Sequence, residues 1–340
     1  MRIASVDVGT GTIICAEKKN DKLEYYRVKD AFFKIELSNF ITGSSAEFGE
    51  TMLKKANANY IKLNNILYIL GDDAFKFANM FHKECLRPMA KGVLNPFEPE
   101  SNAMVAELIR GVIGKATADD DIVYYCVPAN PIDAEFDIVY HSSVIKGILQ
   151  NLGYKKTFKM NEGLAVVYSE AEKDNFTAIG MSYGAGMVNI AYSFLGMPIF
   201  SFSVSKSGDW IDAQTAKATN ETNAIVQHVK EQGINLNVPK NKIEEALSSY
   251  YGALINYVVD QFRALYISTD PKKLPKILDP IKIIVSGGTA MPKGFIEKLD
   301  AEIKEGFPVP ISQVVLADDP LFAVSRGLYN AAKTKSETIK

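Results

Sequence analysis

The sequence predicts an α/β protein built twice over, with two mixed-sheet halves facing one another across a cleft. Three observations carry that expectation. Residues Ile3 to Cys15 read strand, tight turn, strand, with Gly9-Thr10-Gly11-Thr12 between two apolar, β-branched runs. The pattern returns from Ala178 to Ala191 (AIGMSYGAGMVNIA), where Gly184 and Gly186 stand as Gly9 and Gly11 do, at a constant offset of 175 residues. That is an internal repeat. Between the two copies, strand and helix alternate in the rhythm of a layered α/β domain.

Taken in order, the opening hairpin is followed by a strand over Leu23 to Val28 and an extended piece from Ala31 to Leu37. Residues 33 to 84 read as a small insert, with a helix from Ala46 to Ala56 and a buried strand at Ile66 to Leu70. Pro88 and Gly92 mark a connection, and Ser101 is the expected cap of a helix with Met104, Val105, Leu108, Ile109 and Val112 on one face. Ile122 to Val127 is a buried strand, and the next helix is expected to bury Ile138, Val139, Ile145, Ile148, Leu149 and Leu152. After the repeated hairpin come another hairpin through Phe194 to Val204, a helix opened by Gly208-Asp209, and a polar segment from Gly233 to Lys242. A long helix from Asn241 to Tyr266 follows, striped by Ile243, Leu247, Tyr250, Leu254, Val258, Phe262 and Leu265. Ile281 to Ser286 is an apolar strand running into Gly287-Gly288-Thr289, with Gly294-Phe295 opening the helix beyond; the end from Lys333 to Lys340 reads as polar.

Composition narrows the function class. The chain has 340 residues, 47% of them hydrophobic, and a net charge of −2, so it reads as soluble and globular with no electrostatic case for nucleic acid. Its three cysteines (Cys15, Cys85, Cys126) and three histidines lie too far apart for metal-type spacing, which predicts a reducing cytoplasm and no zinc. A chain that begins on a strand predicts no signal peptide, and no apolar run approaches the length of a membrane span; the most membrane-like piece, Phe194 to Phe202, is broken by Gly196 and Pro198.

The turns carry the candidate chemistry. Two glycines let the N–H groups of Thr10, Gly11 and Thr12 converge on one concavity, as a phosphate oxygen requires, and Asp7 at the strand end could hold a hydrated cation. A single Gly-Thr-Gly turn closes many hairpins that bind nothing. Neither a Walker A loop nor a dinucleotide fingerprint is present, because the glycines lead into a strand and not a helix. Two such hairpins facing one another would hold a polyphosphate from both sides. The glycines at 287 and 288 would let a planar ring or a sugar approach the main chain.

DVGTGT at 7–12, MNEGLAVVY at 160–168, YGAG at 183–186 and VSGGTAMPKGF at 285–295 together resemble, in order, the motifs of the actin, Hsp70 and sugar-kinase superfamily. Gly71-Asp72-Asp73-Ala74, Arg87-Pro88-Met89, Val229-Lys230-Glu231-Gln232 and Asp319-Pro320-Leu321 resemble bacterial actins of the MreB and MamK type. The resemblance implies an actin-like (ribonuclease H-like) two-lobed fold with a central nucleotide cleft. Domain I would comprise 1–158 and 318–340, and domain II 159–317, with a trimmed small subdomain at about 208–245. ATP (or ADP) and Mg²⁺ would be the cofactors. The resemblance further implies that Asp7 holds Mg²⁺ through water, Gly9, Thr10, Gly11 and Thr12 bind the β- and γ-phosphates, and Glu162 orients the attacking water. Gly184, Ala185 and Gly186 would close over the phosphates, Gly208 would border the site, Gly287, Gly288 and Thr289 would lie against the nucleoside, and Lys230 and Glu231 would flank the ribose or adenine.

The chain departs from the family pattern where the second loop usually carries acidic and threonine-rich positions: here stand Ser182, Met187, Val188 and Asn189. Loss of one such polar group predicts hydrolysis slowed by about 10²–10³-fold. The functional expectation is therefore an ATP-binding, filament-forming cytoskeletal protein with slow hydrolysis, self-associating and serving an unspecified cargo or adaptor. A non-polymerising adaptor of the PilM or FtsA type is one alternative. A small-molecule kinase is another, although Asp133 and Asp137, near the place its catalytic aspartate would occupy, suit helix-start positions better.

Overall fold

The computed structural model describes residues 1–36, 45–64, 66–135, 138–276 and 279–339. The first sheet opens with β1 (Ile3–Val8), β2 (Thr12–Lys19) and β3 (Lys22–Lys29), an antiparallel meander. The insert follows: β4 (Phe32–Glu36), α1 (Ser45–Lys55), β5 (Tyr60–Leu63), β6 (Ile66–Leu70) and α2 (Asp72–Met80). Its strands form a separate sheet in the order β4-β6-β5, over a small core that includes Phe33, Leu53, Leu67 and Phe77. A two-residue ladder, β7 (Met89–Ala90) with β8 (Val93–Leu94), leads to α3 (Ser101–Ile113), β9 (Ile122–Val127), α4 (Ile138–Asn151) and β10 (Lys156–Asn161).

The second half begins with α5 (Glu162–Glu170), followed by β11 (Ala178–Tyr183), β12 (Val188–Phe194) and β13 (Met197–Val204). Then come α6 (Gly208–Thr219), α7 (Asn223–Glu231), α8 (Lys242–Ser268), β14 (Ile281–Ser286), α9 (Phe295–Lys304), β15 (Ile311–Leu316) and α10 (Ala323–Ile339). The five-stranded sheets run β10-β9-β1-β2-β3 and β13-β12-β11-β14-β15. In each, a three-stranded antiparallel meander lies beside two parallel strands. The repeat extends to register: Val8 pairs with Ile13 in the first hairpin and Tyr183 with Val188 in the second, the same positions of the two copies.

The two connecting helices, α5 and α10, fill the space between the sheets. Ala165, Val166 and Val167 of α5 share a core with Ala323, Leu328 and Ala332 of α10, with Ile122 and Tyr124 of β9 and with Ile284 of β14. Only small residues permit this crossing. A Cβ on Gly327 would lie 1.7 Å from the Ala165 carbonyl oxygen, so the two backbones touch. Each sheet also has its own apolar core, one around Val6, Val105 and Ile145 and the other around Ile190, Tyr251 and Phe262.

Several sequence expectations need correction. Ser101 is the first residue of α3 and not its cap; its hydroxyl donates backwards to the Asn95 and Glu98 carbonyls. Ile145, Leu149 and Leu152 of the expected stripe are buried, but Val139 is 78% exposed and α4 buries His141 and Ser142 as well. The polar end from Lys333 continues α10 through residue 339. Asp133 is no helix start: its carboxylate accepts hydrogen bonds from the Ser205 N–H and the Tyr257 hydroxyl, tying the loop after β9 to the other half, while Asp137 lies outside the described residues. Strands β5, β10 and β15 and helix α2 are not predicted from the sequence, because half-buried polar runs such as KTFKMN lack a clean alternation. From Ser205 to Asn241 there are helices and one isolated bridge, Asn235 with Lys293, and no strand ladder.

Candidate functional site

The two repeated turns face each other across a single cavity of about 870 Å³. They are closed by the same backbone bond, Gly9 N–H to the Thr12 carbonyl at 3.2 Å and Gly184 N–H to the Met187 carbonyl at 3.0 Å. They also touch. A Cβ on Gly11 would meet the Ala185 Cβ at 3.3 Å, and one on Gly186 would lie 2.4 Å from the Thr10 Oγ1. Thr10 is buried, and its Oγ1 accepts from the Gly92 N–H at 2.8 Å.

At the bottom of the cavity β1 delivers Asp7 and the head of α5 delivers Glu162. Local chemistry sets the position of Glu162: Asn161 caps α5 through its side chain, which accepts from the Gly163 N–H at 3.0 Å. A Cβ on Gly163 would meet the Ala191 nitrogen at 2.6 Å, so this glycine lets the helix start sit against β12. Burial pushes both carboxylates up, and the charge on Asp7 raises Glu162 further, against a smaller downward pull from the Asn189 amide and the Ser182 hydroxyl, whose Oγ lies 3.5 Å from Glu162. Asp7 accepts from the Cys126 thiol at 3.1 Å, and that sulfur accepts in turn from the Val8 N–H at 3.2 Å. Two half-buried carboxylates pushed up in this way favour a nearby cation. The donors around them are oxygens of carboxylate, hydroxyl and amide groups, which suit a hard ion. Among the described residues no group of three acidic, histidine or cysteine side chains could hold a metal unaided. Such a site suits Mg²⁺, which keeps its waters and takes few protein ligands.

The other predicted residues divide. Gly287, Gly288 and Thr289 line the cavity after β14, with Gly287 at φ 93° and a Cβ there only 2.1 Å from the Tyr183 carbonyl oxygen. Thr289 donates to the Gly184 carbonyl at 2.7 Å and thereby fixes the second turn. Glu231 lies on the wall. Lys230 is there too, but its ammonium donates to both oxygens of the buried Asp212 at 2.7 Å, so its charge is already paired. Gly208 is not on the wall. It packs behind the second turn, where a Cβ would lie 2.5 Å from the Thr289 Oγ1, and its N–H donates to the Gly184 carbonyl.

Sequence reasoning assigned no role to Cys126, Asp30, Asp212 or Arg87. Asp30 is completely buried beside the cavity, with Oδ2 accepting from the Met89 N–H at 3.1 Å and no hydrogen-bond partner on Oδ1. Arg87 stands in the Arg87-Pro88-Met89 motif, which was the only available signal.

A family model described as Volactin matches residues 1–332. The chain belongs to the volactin family. A search of curated proteins finds no match. Among solved structures, a MamK double helical filament superposes with a TM-score of 0.72 at 16% identity, covering 98% of each chain. MreB5 of Spiroplasma citri bound to AMPPNP gives 0.69 at 15% identity, covering 99% of this chain and 98% of that one. The apo pSK41 ParM protein gives 0.57 at 13% identity over the same shares. These likenesses establish the fold of the volactin-family chain as the two-domain, actin-like α/β fold, with a neighbour of the MamK type and another of the MreB type.

Proposed function

We propose that this volactin-family chain is an actin-like cytoskeletal protein that binds ATP with Mg²⁺ in the cleft and assembles into nucleotide-controlled filaments. The observation that carries the reading is the pair of hairpins, identical in register, whose turns touch across one cavity above two half-buried carboxylates. Its structural neighbours include a MamK filament and an AMPPNP-bound MreB5. In this reading residues 1–158 and 318–340 form one domain and 159–317 the other. Three free cysteines accord with a reducing cytoplasm, and among the described residues no helix is long and apolar enough to cross a membrane.

The bound Mg²⁺ nucleotide supplies the phosphoryl group and the charge that stabilises its transfer. The chain supplies position. Backbone N–H groups of residues 10–12 and 185–186 would surround the phosphates from both halves, the Gly9 and Gly184 N–H groups being used to close the turns, and Asp7 would face the cation. Glu162, at the head of α5, accepts a hydrogen bond from the attacking water and aims it. Where a carboxylate would reinforce this arrangement from the second hairpin there is Ser182, so hydrolysis is slow and the closed state long-lived. A ligand that grips both halves favours the closed arrangement by its differential affinity for it, which is how nucleotide would control assembly.

Negative-stain microscopy of the purified protein with and without ATP and Mg²⁺ tests the reading. Filaments that need nucleotide are expected. Nucleotide binding without polymer would overturn the cytoskeletal part, and no binding would overturn the whole. Phosphate release should rise in Ser182→Asp; a rate unchanged or lower would remove the explanation offered for slow turnover.

A further inference from the structure

The two phosphate-facing turns are joined behind the cavity by an unbroken series of bonds that meets in one ion pair. From the first turn, the Gly11 carbonyl accepts from the Asp30 N–H at 3.2 Å, and the Asp30 carboxylate accepts from the Met89 N–H at 3.1 Å. The loop carrying Met89 is tied to the same turn again through Gly92 and Thr10. Two residues before Met89 stands Arg87, whose own carbonyl is held by the Asn95 side chain at 3.2 Å. The Arg87 guanidinium crosses the cleft and donates to both Asp209 oxygens, at 2.9 and 3.0 Å. Asp209 lies in the first turn of α6, and its N–H donates to the Ala185 carbonyl of the second phosphate-facing turn at 2.8 Å.

We propose that Arg87 and Asp209 are positioning residues that set the separation of the two turns, and so govern how long a nucleotide triphosphate is retained. The proposal rests on the nucleotide reading above. The pair suits this task because each partner is tied to one turn, Asp209 by its own N–H and the Arg87 loop through the Asp30 carboxylate and the Thr10 hydroxyl, so movement of either turn is passed to the pair. The contact is charge-assisted, with the single guanidinium nitrogen Nη1 donating to both carboxylate oxygens. Asp30, whose second oxygen has no hydrogen-bond partner, is buried beside the same cavity, where burial pushes its carboxyl well above the usual carboxylate range. The other cross-cleft pair, Lys29 with Glu231, spans 4.0 Å between more exposed groups and is the weaker link.

The test uses the full chain with a fluorescent ATP analogue and Mg²⁺, following release of the analogue by stopped flow. Arg87→Gln and Asp209→Asn should each release it about 10-fold faster, an ordinary coupling for one anchored pair. Arg87→Asp combined with Asp209→Arg should return the rate to within about threefold of wild type. Raising salt should speed release from the wild type and leave Arg87→Gln nearly unmoved. In the nucleotide-free protein, amide exchange in Arg87→Gln should rise together at residues 88–95 and 184–187. Single variants that stay folded by circular dichroism and release at the wild-type rate would overturn the proposal, as would failure of the charge swap to restore it. Should the wild type bind no analogue, the nucleotide reading fails, and the exchange measurement decides alone whether the pair joins the turns: unchanged exchange overturns the joint.

Discussion

The hairpins β1–β2 and β11–β12 are the same piece of backbone carrying different side chains. Equivalent residues pair with equivalent residues, Asp7 with Ile14 in the first and Ser182 with Asn189 in the second. The strand-end position that is a half-buried carboxylate in one is a hydroxyl in the other, and the turn that presents Thr10 in one presents Ala185 in the other. The comparison teaches that duplication preserved what backbone geometry requires, the glycines and the register, and left the charges free to diverge. A turn that must bring N–H groups to a ligand tolerates few residues. A carboxylate that need appear only once beside a cation can be lost from the second copy.

Four experiments would break or sharpen that comparison. The largest effect is expected from Glu162→Gln, which keeps the hydrogen bond and removes the base: phosphate release should fall by about 10²–10³-fold while analogue binding stays within about threefold. Asp7→Asn should follow. If the first hairpin alone supplies the cation-facing carboxylate, Mg²⁺ should lose most of its effect on analogue affinity, on the order of 10-fold or more, read by titration with and without EDTA. Crowding the turns separates them by geometry. Gly186→Val should force the halves apart and weaken analogue binding by about 10-fold or more, because its Cβ would sit 2.4 Å from Thr10 Oγ1 and 2.7 Å from the Gly92 nitrogen, whereas Gly11→Ala, at 3.3 Å from the Ala185 Cβ, should cost little.

The last comparison probes the first half by pH. His141 is buried in the first half, with no hydrogen-bond partner for either ring nitrogen, and burial pushes its pKa down to about 4. A histidine that stays neutral in the folded chain but protonates when unfolded makes the unfolded state bind more protons between its ordinary pKa and the lowered one. Stability should therefore fall as pH drops from about 6.5 towards 4, by at most about 3 kcal/mol. Urea melts at a series of pH values should show a shallower acid decline in His141→Phe than in the wild type. An equal decline would place the acid sensitivity elsewhere.

Local features are legible in the order of residues alone. Glycines flanked by apolar strands, the offset between the two copies, the Asn241-capped helix α8 and the glycines after β14 all follow from short-range patterns. The fold class follows from them through the superfamily resemblance. The errors come where context overrides propensity. Val139 has strand-like and core-like character, yet lies on the outer face of α4, and Ser101 looks like a cap while its hydroxyl is turned back to Glu98. Lys230 does line the cavity, but its pairing with Asp212 could not be read from the sequence. Gly208 is drawn to the site by its neighbours in sequence, and it is one layer behind.

What the sequence determined by itself is the pair of hairpins and the position of Asp7 near a strand end, because backbone freedom at glycine and the period of apolar residues act over a few positions, while Glu162 at the head of a helix came through the superfamily resemblance. What only the tertiary structure decided is which charges meet: Cys126 with Asp7, 119 residues apart, and Arg87 with Asp209, 122 residues apart. No local rule couples residues at that distance. They meet because the sheets pack on α5 and α10, and the placement of the two cleft walls is a property of that packing.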